Sequence, residues 1–369
     1  MPHRFLTLAR VLRLPLALLL LVLALPSQAA TVFCVGTAQQ LTDALASAAA
    51  SPDPSIDIRL RSGTYTGHFL LSIEHSNQSI KLTGGWVSFL NVPCSLKFNG
   101  AGLTTLVGTT SDNALTIFMY QDSNHNQVSN SSVTASDLTF SNPTYAGDFL
   151  GTACLVVMNN PNNDILLDRF QIKHCYAPNS VQGAGYLSND GGSLTLRNTV
   201  VADGQALING GLEIYTSAAG ITYLSHLSIT GATSTGPSSS ISGLHIFVND
   251  ANSLTFLSNS VVWGNDPDAG VNDIELYGSN TFLSNVHYGT LNGMPAANTA
   301  PGTGDPGFQG ANDPQLSGSS VLIDSGIANP LGGAGTLDVD GKPRVNGVAP
   351  DVGAYEVDYL FRANFELGS

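Results

Sequence analysis

The sequence predicts an all-β fold, a parallel β-helix solenoid with an N-terminal capping helix and an irregular C-terminal cap. Three observations carry this prediction. The chain repeats itself: TFLSN stands at residues 255–259 and again at 281–285, and NTVVADG at 198–204 echoes NSVVWGN at 259–265. Apolar and polar residues alternate with period two inside the repeats, which is the signature of strands rather than helices. The composition, with 39 glycines and only 11% charged residues, suits many short strands joined by turns.

The elements follow in chain order. Residues 1–29 read as a secretory leader, with Arg4, Arg10 and Arg13 ahead of an apolar run at 16–25 and Ser27, Gln28 and Ala29 before the cut. The run is shorter than the roughly 20 residues that span a bilayer, and no later segment approaches that length, so no transmembrane segment is expected in the mature chain. Residues 30–55 form an N-terminal strand and a capping helix. Thr37 and Gln40 open that helix as a capping box, and Leu41, Ala44, Leu45 and Ala48 share one face.

Residues 56–290 are expected to form the solenoid. A short strand (CLVVMNN, GYLSND, GLEIYTS, GLHIFVND, DIELYGS) alternates with a longer one (NDILLDRFQIKHC, GSLTLRNTVVADG, GITYLSHLSITGA, NSLTFLSNSVVWGN, TFLSNVHYG). Asp168, Asn198, His226, Asn259 and Asn285 occupy matched positions 30, 28, 33 and 26 residues apart, one coil each. The stretch holds about eight or nine coils, a rod on the order of 40 Å at about 4.8 Å per strand. Asp168, Asn198, Asn259 and Asn285 read as turn residues that bond the backbone of the next coil, with His226 in the same slot. Residues 291–358 form a C-terminal loop and cap region, and 359–369 a short tail.

Removing the leader takes three of 13 basic residues and none of 27 acidic ones, leaving a formal charge of 10 minus 27, or −17. Nucleic acid and anionic lipid are therefore excluded as expected partners, and the charge favours solubility. Cys34, Cys94, Cys154 and Cys175 all follow the leader, where oxidation is permitted. The favoured pairing is Cys34 with Cys94 and Cys154 with Cys175; buried free thiols are the other reading.

The helix followed by IDIRLRSGTYTG, LTGGW at 82–86, the NSVVWGN unit and the ending resemble right-handed parallel β-helix repeat proteins of the pectate-lyase-like superfamily. Asp305, Pro306, Gly307 and Phe308, then SSVLIDSG at 319–326 and LDVDGKPRVNGVAPDVGAYE from 337, resemble the ending of exported bacterial proteins called choice-of-anchor Q. The resemblance implies a right-handed β-helix and export, secreted or to the periplasm or outer surface. It implies no single reaction, because members of that family share none.

The residues that could carry chemistry are few. The Asn-Thr-Asp, Asp-Asp, Gly-His-Gly and Arg-Ile-Lys motifs of the polygalacturonase branch are absent from the chain. A lyase would need a basic group, and Arg169 and Arg197, with Lys173 and Asp168 nearby, are the candidates; the alternative is surface charge beside a turn. Strand alternation places Glu213, His245 and Glu275 in one outward column and Tyr215, Phe247 and Tyr277 in a second. Carboxylates beside stacked rings suit a sugar-binding or sugar-cleaving face, and the same rings also stabilise a rod by cross-strand pairing. Glu213 and Glu275, two strands apart, have backbones separated by about 9.6 Å, nearer the spacing of inverting than of retaining glycosidases.

Asp266, Asp268 and Asp273 are candidate calcium ligands in an acidic turn, although no cofactor is required by any motif. Asp338, Asp340 and Asp351 are expected to hold turns of the cap, with Lys342 and Arg344 paired to Asp351 or Glu356. The expected function is that of an exported, non-catalytic β-helix that binds glycan or mediates adhesion to a polysaccharide or cell-surface component. A polysaccharide lyase or glycosidase is the alternative.

Overall fold

The computed structural model describes residues 30–119, 127–236, 241–265 and 272–358; the expected leader, the tail 359–369 and Asp266 and Asp268 lie outside them. Two parallel sheets wind through the chain. The first passes through Thr31–Val35, Ser55–Arg61, Ser79–Phe89, Ser132–Asn142, Asp164–Ala177, Ser193–Ala206, Ile221–Thr230, Leu254–Val262, Thr281–Tyr288 and Ala297–Thr299. The second passes through Phe69–Ile73, Leu115–Met119, Leu155–Asn159, Gly185–Asp190, Leu212–Ser217, Ile241–Val248, Asn272–Tyr277 and Leu291–Asn292. Consecutive strands of each path pair in parallel, the geometry of a parallel β-helix.

The coils stack because their inward residues repeat. Ile58, Leu82, Ala135, Leu167, Leu196, Leu224, Leu257 and Leu283 are register partners from strand to strand and all are buried. Leu71, Ile117, Val157, Leu187, Ile214, Ile246 and Leu276 form the facing column of the second sheet. Each such leucine or isoleucine contributes about 1.5–3 kcal/mol by leaving water.

Helix Ala38–Ala50 covers the first coil. Thr37 accepts a hydrogen bond from the Gln40 N–H at 3.2 Å, and Gln40 Oε1 accepts from the Gly36 N–H at 2.8 Å. Leu41, Ala44, Leu45 and Ala48 are its buried residues. The disulfides are Cys34–Cys94 and Cys154–Cys175, with Cα separations of 5.7 and 5.8 Å, and free cysteines are absent. They are compatible with an oxidising compartment. Among the described residues no helix is long and apolar enough to cross a membrane.

The long strands bend at a matched column of residues in the left-handed region, and Asp164–Ala177 and Ser193–Ala206 each hold a second such residue, His174 and Asp203. The column is Asp137, Arg169, Asn198, His226, Asn259 and Asn285, with φ of 61°, 57°, 51°, 53°, 45° and 54°. This corrects the expected slot: Asp168 pairs with Arg197 in ordinary register, and Arg169 is the residue at the bend. Asparagine and aspartate tolerate this region well and arginine poorly, so residue type alone pointed to Asp168. Arg169 holds the position because its guanidinium lies on Asp137, with Nε–Oδ1 2.7 Å and Nη2–Oδ2 2.9 Å.

The column residues bond one another and the C-terminal region. Asn285 Nδ2 donates to Asn259 Oδ1 at 3.1 Å and to the Ser325 carbonyl at 2.9 Å. Asn259 donates to the Ile327 carbonyl and accepts from its N–H, at 2.7 and 2.8 Å. Asn198 donates to the Ala334 carbonyl at 2.9 Å.

The irregular C-terminal region is thus present, and its contacts extend well beyond the last coil. From Ser325 opposite Asn285 it runs back to Val339, whose carbonyl accepts from the Ala101 N–H at 2.9 Å. Along this path Val339, Ala354 and Tyr355 bury Val200, Ala202 and Ala101, and Leu316, Leu322 and Val352 bury Val261.

Candidate functional site

The outer face of the second sheet carries both predicted columns. Glu213, His245 and Glu275 are direct register partners, and so are Tyr215, Phe247 and Tyr277. Period-two alternation puts them outward because Leu212, Ile214, Leu244 and Ile246 fill the core. Tyr215 and Phe247 stack with centroids 5.4 Å apart and planes at 8°, and Tyr277 continues the stack 5.8 Å from Phe247.

Glu213 Oε2 accepts a hydrogen bond from Gln182 Nε2 at 2.9 Å and lies 3.8 Å from His245 Nδ1, an ion-pair distance rather than a hydrogen bond. Burial pushes its carboxyl up, but His245 and Gln182 outweigh this and hold it below the usual range. Glu275 is buried and accepts from Asn292 Nδ2 at 3.2 Å. The two glutamates therefore stand differently: Glu213 borders open space, whereas Glu275 is enclosed.

That open space is a groove of about 490 Å³, which the sequence reading missed. Its floor is Val156, Met158, Tyr186 and Glu213 on the sheet, and its walls are two loops that supply Asp112 and Asn113, and Tyr145 and Thr152. Asp112 is exposed, and the Ser111 hydroxyl, 2.7 Å from Oδ2, holds its carboxyl below the usual range. Burial raises the phenols of Tyr145 and Tyr186, and the nearby Glu213 charge adds to the shift on Tyr186. Loops between coils follow no repeat, so the periodic signal that located the sheet column did not reach them.

The basic candidates are placed elsewhere. Arg169 also pairs with Asp168, and Arg197 Nε lies 3.1 Å from Asp168 Oδ1. Lys97 adds a contact of 2.8 Å to Asp137, which is fully buried. The C-terminal region passes over this network, with Gly333 and Gly335 against the Arg197 guanidinium. Arg169 and Arg197 do converge on carboxylates, but as charge-neutralising partners of Asp137 and Asp168. A base for proton abstraction has to reach substrate, and Arg169 is 8% exposed.

Asp273, expected as a metal ligand, accepts from the Asn265 N–H and Nδ2 at 3.0 and 2.9 Å and from the Thr290 N–H at 3.0 Å. It fastens two turns. Among the described residues no three His, Cys, Asp or Glu side chains converge to hold a metal ion. His226 is fully buried, donor or acceptor to Asn259 at 3.1 Å, and burial with Arg344 and Arg197 nearby lowers its pKa far below the ordinary value.

In the cap, Asp338 accepts from the Asp340, Lys342 and Glu356 N–H groups at 3.0, 2.7 and 2.9 Å. Asp351 accepts from those of Asp324 and Val357 at 2.7 and 2.8 Å. Asp340 supplies only its backbone N–H to that turn. Arg344 takes Glu356, Nε to Oε1 at 2.8 Å.

No family model, curated protein or solved structure matches this chain.

Proposed function

We propose that the protein is an exported β-helix that binds glycan on the outer face of its second sheet without cleaving it. The observation that carries this reading is the groove lined by Asn113, Tyr145, Gln182, Tyr186 and Glu213 and its junction, through Glu213, with the Tyr215, Phe247 and Tyr277 stack. Rings pack against the C–H faces of sugars, while amides and carboxylates bond their hydroxyls. Export is supported by the leader-like residues 1–29, the two disulfides and the resemblance of the ending to choice-of-anchor Q proteins.

The carboxylates favour binding over hydrolysis. A glycosidase needs one carboxyl kept protonated as general acid, by a raised pKa. In the groove Asp112 and Glu213 are both held low. Purified protein incubated with a panel of neutral and charged polysaccharides is expected to be retained on some of them and to release no reducing ends. Release of ends that disappears in Glu213→Gln would establish a glycosidase instead.

A further inference from the structure

We infer that the groove selects a cationic amino sugar, a glycan with free glucosamine-type ammonium groups, over neutral or uronate polymers. This inference rests on the glycan-binding reading and specifies its ligand class. Asp112 and Glu213 both line the groove, and none of its lining residues is a lysine or arginine.

Each of the two carboxylates is half used. On Asp112 the Thr109 and Ser111 hydroxyls both donate to Oδ2, at 3.1 and 2.7 Å. On Glu213 the Gln182 amide and the His245 ring both address Oε2. Oδ1 of Asp112 and Oε1 of Glu213 therefore have no protein donor among the described residues. The existing partners fix each carboxylate in orientation and keep it ionised, which leaves one oxygen of each for a donor from the ligand.

Three ligand chemistries compete for such a site. A uronate would bring a third negative charge beside two carboxylates, with His68 as the one basic side chain of the lining. A calcium-bridged uronate would need more oxygen ligands than two carboxylates that belong to no group of three metal-binding side chains. The strand that follows Asp112 lies three strands from that of Glu213, about 14 Å, so ammonium groups on different units of one glycan meet the two free oxygens, with the half-buried Tyr186 ring between them. The remaining lining groups, Asn113 and the Gln182 amide, suit the sugar hydroxyls.

Isothermal titration of the mature protein with the hexamers of glucosamine, N-acetylglucosamine and galacturonate, the last with and without calcium, tests the inference. The glucosamine hexamer is expected to bind about tenfold or more tightly than the acetylated one, the gain of one charge-assisted hydrogen bond. The Asp112→Asn, Glu213→Gln double variant is expected to lose that preference. A variant of equal charge, Asp43→Asn with Asp164→Asn at exposed positions outside the groove, is expected to keep it.

Equal or tighter binding of the acetylated hexamer or of galacturonate would overturn the amino-sugar inference and leave the glycan reading standing. Equal loss in the two double variants would also overturn it, by showing attraction to overall charge. Binding of no hexamer at all would remove both readings.

Discussion

Asp137 shows what a single left-handed position does in this chain. It sits at the bend of its strand with φ of 61°, is wholly buried, and accepts from Arg169, Lys97 and the Gly100 N–H at 2.7–2.9 Å. Burial raises its carboxyl, but Arg169 and Lys97 outweigh that and bring it down to about 2. The folded pKa lies below the unfolded one, so the stabilisation is present above about pH 4 and is lost as pH falls toward 2. Its size is about 2 kcal/mol. Thermal unfolding followed from pH 5 to 2 is expected to show this loss, and Asp137→Asn, less stable at neutral pH, to show a flatter acid limb. Parallel acid limbs in the two proteins would refute the assignment.

At the scale of elements, the C-terminal segment explains a feature of the long strands that alternation does not. NTVVADG and NSVVWGN place two valines side by side, although a strand turns consecutive side chains to opposite faces. Val201 and Val262 enter the main core; Val200 and Val261 are covered by Val339, Ala354 and Tyr355 or by Leu316, Leu322 and Val352. Arg344 fastens this cover. It is 2% exposed and bonds Glu356, Asn198 Oδ1 and the carbonyls of Gly353, Ala354 and Tyr355. Burial pushes the Glu356 carboxyl up to about 7 against the pull of Arg344, the cost that a buried ion pair carries. Arg344→Ala leaves that carboxyl and the Asn198 side chain short of a partner. It is expected to lower stability by about 3–5 kcal/mol in denaturant unfolding, with glycan retention in the groove unchanged below the transition.

For the whole molecule, the disulfides act at two different places. Cys34–Cys94 closes a 60-residue separation and ties the first strand to the hairpin after Ser79–Phe89, whereas Cys154–Cys175 closes 21 residues inside one coil. Chain entropy alone assigns about 3–4 kcal/mol to each. Cys34→Ser with Cys94→Ser and Cys154→Ser with Cys175→Ser are therefore expected to lower the melting temperature by similar amounts. A loss confined to one pair would show that the coil, not the loop closure, carries the stability.

What the sequence determined by itself is whatever repeats. Stacked coils place each residue over its counterpart, so period two and a spacing near thirty residues were enough to set the strands, the core columns, the Glu213, His245 and Glu275 register and the Tyr215 stack. The cysteine pairing and the Thr37 cap were legible for the related reason that both are local or few in their alternatives. Only the tertiary structure decided the rest. Asp168 and Arg169 differ by one place, and the choice between them depends on Asp137 in the neighbouring coil. The cover over Asn198 and the Arg197 guanidinium comes from a segment more than a hundred residues later in the chain. The groove is built from loops that do not repeat, and the half-used carboxylates of Asp112 and Glu213 acquire meaning only from what stands, and does not stand, around them. Periodicity fixes what the backbone ladder aligns; contacts made across the chain fix which of those side chains remain open to a ligand.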